Sequence, residues 1–173
     1  MRKLFVGFIT ILLIFGLVSI SHAEEDVLVT ADLKDITTMD PAVWYDMIGS
    51  TFMRNVYEGL VRFEGESVDI EPCLAVSWEK SEDGREWIFN LRENVKFHDG
   101  TTFNAYAVKT NIERIQEIDR GPSFAVADIE EVIVEDEYKV KFVLSEPRGD
   151  FLMMLASLWG PRMVSPTAIE ENE

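Results

Sequence analysis

The chain has 173 residues, which suits one ordinary domain and argues against two large ones. With 47% hydrophobic and 28% charged residues, its composition is globular and excludes disordered, collagenous and low-complexity classes. Its 32 acidic residues against 16 Lys plus Arg give a net charge of −16, which repels phosphate backbones and excludes an ordinary nucleic-acid binder, while one cysteine and two histidines exclude an internal disulfide and a Cys/His zinc cage.

Arg2 and Lys3 precede an uncharged run from Leu4 to Ile20, followed by Ser21-His22-Ala23. A positive head, an apolar core and a small-residue exit predict a secretory signal peptide over residues 1–23, cleaved near Ala23. A retained membrane anchor is the alternative, because the run reaches the short edge of a bilayer span. Cleavage removes Arg2 and Lys3, leaving 14 basic residues (16 less two) against 32 acidic ones. The plain meaning of that acidity is a solvated surface.

Val27–Ala31 reads as a short buried strand, and Asp40-Pro41 as a turn, since proline disfavours helix at the residue before it. From Val43 to Leu60, Ile48, Phe52, Val56 and Leu60 recur every four residues and predict a helix ending near Gly59. Asp69 to Pro72 reads as a break, followed by Ala75-Val76-Ser77-Trp78-Glu79-Lys80 leading into a hairpin. Asp83-Gly84 then marks a tight hairpin turn, after which Trp87, Phe89 and Leu91 alternate with polar-side residues as a half-buried strand does. Phe97-His98-Asp99-Gly100 predicts a second turn. Asn104 suits a helix N-cap, with Val108, Ile112 and Ile115 along one side. Gly121-Pro122 is a further break. Ile129–Val134 and Tyr138–Leu144 predict two more strands joined at the acidic tip Glu135-Asp136-Glu137, with Lys139 and Lys141 turned away from the buried face. Phe151–Trp159 reads as a short apolar helix and Met163–Ser165 as a strand. Hairpins with interspersed helices and no βαβ rhythm predict an α+β fold.

An enzyme is not supported by the inventory. Beyond residue 23 the chain has one histidine, His98, in a turn where hydrogen bonding within the loop is its ordinary role. No nucleophile motif, phosphate-binding loop, dinucleotide fingerprint or calcium loop accompanies it. Carboxylate pairs are expected on any surface this acidic. Cys73, between Pro72 and Leu74, reads as a small core hydrophobe. Trp78, Trp87 and Trp159 sit in apolar patterns and are assigned to the core. Trp44 and Tyr45 follow a strand-to-helix turn, a place where mixed folds receive ligands.

The order Met39-Asp40-Pro41, Tyr57-Glu58-Gly59-Leu60, Glu71-Pro72-Cys73-Leu74-Ala75-Val76-Ser77-Trp78 and Trp87 through Gly100 resembles bacterial extracellular solute-binding proteins of family 5, the peptide- and nickel-binding components of ABC importers. The resemblance continues through Phe103–Val108, Leu144-Ser145-Glu146-Pro147 and Val164-Ser165-Pro166. It departs where the family commonly reads Ala-Glu-Asp-Val, for this chain has Ala105-Tyr106-Ala107-Val108 and loses acids that suit a helix N-terminus.

The resemblance implies a type II periplasmic-binding-protein-like fragment whose second lobe is missing. Residues 24–53 correspond to the first strand and turn of an incomplete large lobe, 54–160 to a small α+β accessory subdomain, and 161–173 to the return toward the large lobe. Val27–Ala31 and the segment near Met163 are expected either to pair or to pack poorly. The implied function is extracytoplasmic capture of a solute, most plainly an oligopeptide, for an ABC permease in the membrane, with no cofactor. Nickel complexes, oligosaccharides and an interaction-only or inactive fragment are the alternatives. Residues after the Asp-Pro turn touch ligand in relatives, which carries over to Tyr45, Asp46 and Met47, with Phe124 beyond Gly121-Pro122 as a further contact. A single lobe is expected to bind solute weakly, because closure around the ligand is what buries it.

Overall fold

A computed structural model describes residues 35–172, which belong to one compact unit, Lys34–Glu173. The predicted leader and the strand Val27–Ala31 lie outside the described residues.

After the short strands β1 (Val61–Phe63) and β2 (Ile70–Pro72), the strands β3 (Ala75–Lys80), β4 (Glu86–Leu91), β5 (Ile129–Asp136) and β6 (Lys139–Leu144) form a central four-stranded antiparallel sheet in the order β3-β4-β6-β5. Two local hairpins build it. The first turns at Gly84, whose φ of 73° favours glycine and whose N–H donates to Ser81 O at 3.0 Å. The second turns beyond Asp136, so its acidic strand runs two residues further than the alternation predicts. The hairpins meet along β4 and β6, where Trp87 faces Phe142 and Phe89 faces Val140.

The alternation in these two strands is a burial pattern. Trp87, Phe89 and Leu91 of β4 and Val140, Phe142 and Leu144 of β6 are all buried on one face. Phe89 and Phe142 sit 5.4 Å apart by ring centroids, and burying each such ring contributes about 1.5–3 kcal/mol. On the other face Lys139 pairs with Glu135 at 3.1 Å and Lys141 with Glu86 at 3.4 Å.

The long helix (Ala105–Ile118) covers the buried face. Asn104 caps it, its Oδ1 accepting from Ala107 N at 3.1 Å, and Val108, Ile112 and Ile115 point into the core. Its first turn carries no acidic residue, so the cap falls to Asn104. A short helix, Phe151–Ala156, completes the cover with Phe151 against Trp87 and Phe142. No described strands run parallel, and the fold is a partial α+β unit.

Three expectations are corrected. The helix predicted over Val43–Leu60 spans only Ser50–Val56, and its buried residue is Met53, while Phe52 and Val56 are exposed. Asp46 accepts from Gly49 N at 2.7 Å and holds the preceding chain out of helix, and Tyr57 turns extended at φ −120° and ψ 149°. Leu60 is buried beyond the helix, just ahead of a strand. The break at Asp69–Pro72 contains a strand, Ile70–Pro72, paired antiparallel with Val61–Phe63 in a second small sheet. Met163–Ser165 is no strand. Its backbone is held instead by the buried Asn111 side chain, which donates to Val164 O at 2.8 Å and accepts from Val164 N at 2.9 Å. A helix, Pro166–Asn172, comes next in the chain. Cys73 is buried as expected, its thiol donating to Glu58 at 3.5 Å; burial first, and then the Glu58 charge, pushes the thiol pKa up.

Candidate functional site

The Asp-Pro turn is fixed from two sides. Asp40 Oδ1 accepts from Ala42 N at 3.0 Å, and Asp40 N donates to Thr38 Oγ1 at 3.1 Å. From the long helix, Arg114 donates to both carboxylate oxygens of Asp40 at 2.9 and 2.8 Å. That guanidinium holds the Asp40 carboxyl below its ordinary value against the opposing effect of burial. The turn is thereby tied to the helix that covers the sheet, a rigid base for the side chains of Trp44, Tyr45, Asp46 and Met47.

Trp44 and Tyr45 then separate. Trp44 turns inward and is buried, which corrects its assignment beside Tyr45 as a ligand-facing residue. Tyr45 turns outward at 61% exposure. Gly121 explains what meets it: its φ is +52°, and a Cβ there would stand 2.7 Å from Val43 O. Only glycine lets the short 3-10 turn, Gly121–Ala125, press onto the backbone beside Trp44. The result brings Phe124 edge-on to Tyr45, with ring centroids 6.1 Å apart.

Trp159 completes the cluster. It stacks on Trp44 at 4.9 Å and lies 4.6 Å from Tyr45, half-buried rather than enclosed in the core as its apolar neighbours suggest. Met47 stands exposed two residues beyond Tyr45. Asp46 accepts from Gly49 N and from the Thr37 hydroxyl at 3.3 Å; the Gly49 bond is the main reason its carboxyl lies below the usual range. Tyr45 and Phe124 are therefore brought into ring contact, Asp46 shapes the loop between Tyr45 and Gly49, and Trp159 is the member that the sequence pattern concealed. The surface offers aromatic faces and a phenol beside an ionised carboxylate. Such a surface can hold a small solute by stacking and hydrogen bonding.

Residues 69–171 match the family model described as bacterial extracellular solute-binding proteins, family 5 middle. The chain belongs to that family. It is 38% identical over 159 residues to the Escherichia coli (strain K12) protein named Probable D,D-dipeptide-binding periplasmic protein DdpA, covering 88% of this chain and 31% of that protein. It is 34% identical to the glutathione-binding protein GsiB of Shigella flexneri over 88% of this chain and 30% of that one. Among solved structures it resembles NikZ from Campylobacter jejuni in complex with Ni(L-His), with a TM-score of 0.69 and 32% identity, covering 81% of this chain and 27% of NikZ. The family 5 chain thus spans about 30% of the length of the curated relatives it matches.

Proposed function

We propose that this family 5 chain forms part of an extracytoplasmic solute-binding component that delivers a peptide to an ABC permease in the membrane. In this reading the segment lies outside the cytoplasmic membrane, performs no covalent chemistry and engages no nucleic acid. Residues 54–160 act as the accessory subdomain, with 24–53 and 161–173 contributing to a larger lobe.

The observation that carries the proposal is the Tyr45–Phe124–Trp159 ring cluster set on the Arg114-braced turn. Tyr45, Asp46, Met47 and Phe124 are the proposed contacts, and Trp159 backs Tyr45. Rings and a thioether accommodate varied peptide side chains without demanding one shape, while the phenol supplies a directional hydrogen bond. The names of DdpA and GsiB support a peptide over a sugar. NikZ favours a second reading, a metal–amino-acid chelate held by the same rings.

The test is calorimetric titration of a full-length relative with and without the substitution equivalent to Tyr45→Ala. Di- and tripeptides and nickel–histidine are the ligands. Loss of one ring face and one hydrogen bond predicts about a tenfold drop in affinity, near 1.4 kcal/mol. Unchanged affinity across the whole panel removes Tyr45 from the site. Binding confined to nickel–histidine replaces the peptide reading with the chelate one, and peptide turnover refutes a purely binding role.

A further inference from the structure

A cavity of about 280 Å³ opens between the helix Ser50–Val56 and the chain after Phe151–Ala156, lined in part by Arg54, Tyr57, Glu58, Gly59, Arg62 and Arg162. Its charges are unevenly matched. Arg62 pairs with Glu71 at 2.5 Å, and Glu58 pairs with Arg92 at 3.2 Å while also accepting from the Cys73 thiol. Arg54 and Arg162 remain, with no carboxylate partner among the described residues.

Arg162 is half-buried, and the protein partner of its guanidinium is a carbonyl, Ser157 O, at 3.0 Å from Nη2. Its Nη1 lies so close to Gly59 that a Cβ there would approach to 2.7 Å. The absence of a side chain at Gly59 is what admits the guanidinium to the cavity wall. Arg54 and Arg162 line the same cavity; burial lowers the Arg162 pKa, with Cys73 opposing and the like charge of Arg54 adding to the effect. The carbonyl end of the helix Ser50–Val56 accounts for a cation at Arg54. It does not account for a second one facing the same space.

The geometry points to a carboxylate-binding site between Arg54 and Arg162, distinct in its residues from the ring cluster at Tyr45. Guanidinium forks match carboxylate oxygens in pairs, and an anion between two cations removes their mutual repulsion. The carboxylate has two sources: a free organic acid, or an Asp or Glu side chain of a polypeptide seated over the cavity. The acidic balance of the chain, 32 acidic against 16 basic residues, makes the site discriminating, since non-specific anion binding to such a surface is unfavourable.

Amide and guanidinium NMR shifts of the 173-residue chain, titrated at constant ionic strength, test the site. The probes are succinate and the blocked peptide acetyl-Ala-Glu-Ala-amide, with potassium chloride as control. Saturable shifts at Arg54, Gly59 and Arg162, weakened at least tenfold in Arg54→Gln and in Arg162→Met, support the site. Saturation by succinate identifies the free acid as sufficient, and saturation by the peptide alone assigns the site to a polypeptide side chain. Where Arg162→Met does not fold, the exposed Arg54→Gln substitution decides alone. No saturable shift with either probe, or equal affinity in wild type and Arg54→Gln, overturns the proposal.

Discussion

Breaking the Asp40–Arg114 pair tests whether the Asp-Pro turn is held by the long helix. Arg114 is 14% exposed and Asp40 32%, so the pair falls between the surface regime, near 0–1 kcal/mol, and the buried one, near 3–5 kcal/mol. With two parallel donors, removing one partner costs about 2 kcal/mol. Asp40→Ala also releases Ala42 N, which adds about 1 kcal/mol. Because Arg114 has other interactions, the single variants overstate the pair, and a double-mutant cycle with Arg114→Met isolates it; the expected coupling is about 1–2 kcal/mol. Urea denaturation supplies each stability. The sign with pH comes from the lowered Asp40 pKa. The pair's contribution is complete above the unfolded value, about 3.9, and fades as pH falls through the lower folded value. The gap between wild type and Asp40→Asn therefore narrows from pH 7 toward pH 3. Coupling under about 0.5 kcal/mol, or a gap independent of pH over that range, refutes the bracing role.

Asn111→Ala removes both bonds to Val164 and leaves a part-buried N–H and C=O unmatched; unfolding by denaturant should show a loss of about 1–3 kcal/mol, whereas Asn111→Asp retains part of it. Gly121→Ala meets the Val43 carbonyl and a positive φ, so a loss of at least about 1–2 kcal/mol is expected, together with weaker ring-current shifts between Phe124 and Tyr45 by NMR. Tyr45, Met47 and Phe124 are each more than two-fifths exposed, so solute held there stays largely in water. The 173-residue chain should bind di- and tripeptides no tighter than about millimolar by calorimetry, and micromolar affinity would contradict that geometry.

The elements legible in the sequence are those whose periodicity directly records burial. Phe89 and Phe142 alternate because one face of the sheet is covered, and Asn104 with Val108, Ile112 and Ile115 marks both the start and the inner face of the long helix. The segment Val43–Leu60 misleads because four-residue spacing there coincides with a side-chain bond from Gly49 N to Asp46 that no periodicity reveals. Val61–Phe63 and Ile70–Pro72 are too short to show a period at all. Asn111 does leave a signal: a polar residue on the same helical face as Val108, Ile112 and Ile115 needs a buried partner. Tyr45 is marked by its place after the Asp-Pro turn, but Phe124 is reached only through family resemblance, because 79 residues separate the two in the chain and the left-handed Gly121 joins them. Trp159 is masked by the apolar run before it, although Gly160-Pro161 immediately after signals that the helix has already ended.

The seam between β4 and β6 also bears on the order of folding. Each flanking hairpin closes over a short stretch of chain, and the long helix forms from neighbours within its own turns. Pairing Glu86 with Val143, in contrast, must bring together residues 57 positions apart and trap the helix between them. That closure carries the largest loop entropy in the sheet, before most of its contacts exist to offset it. Substitutions at Phe89 and Phe142 should therefore slow folding more than they speed unfolding, while those at the hairpin tips near Gly84 and Asp136 should leave the folding rate nearly unchanged.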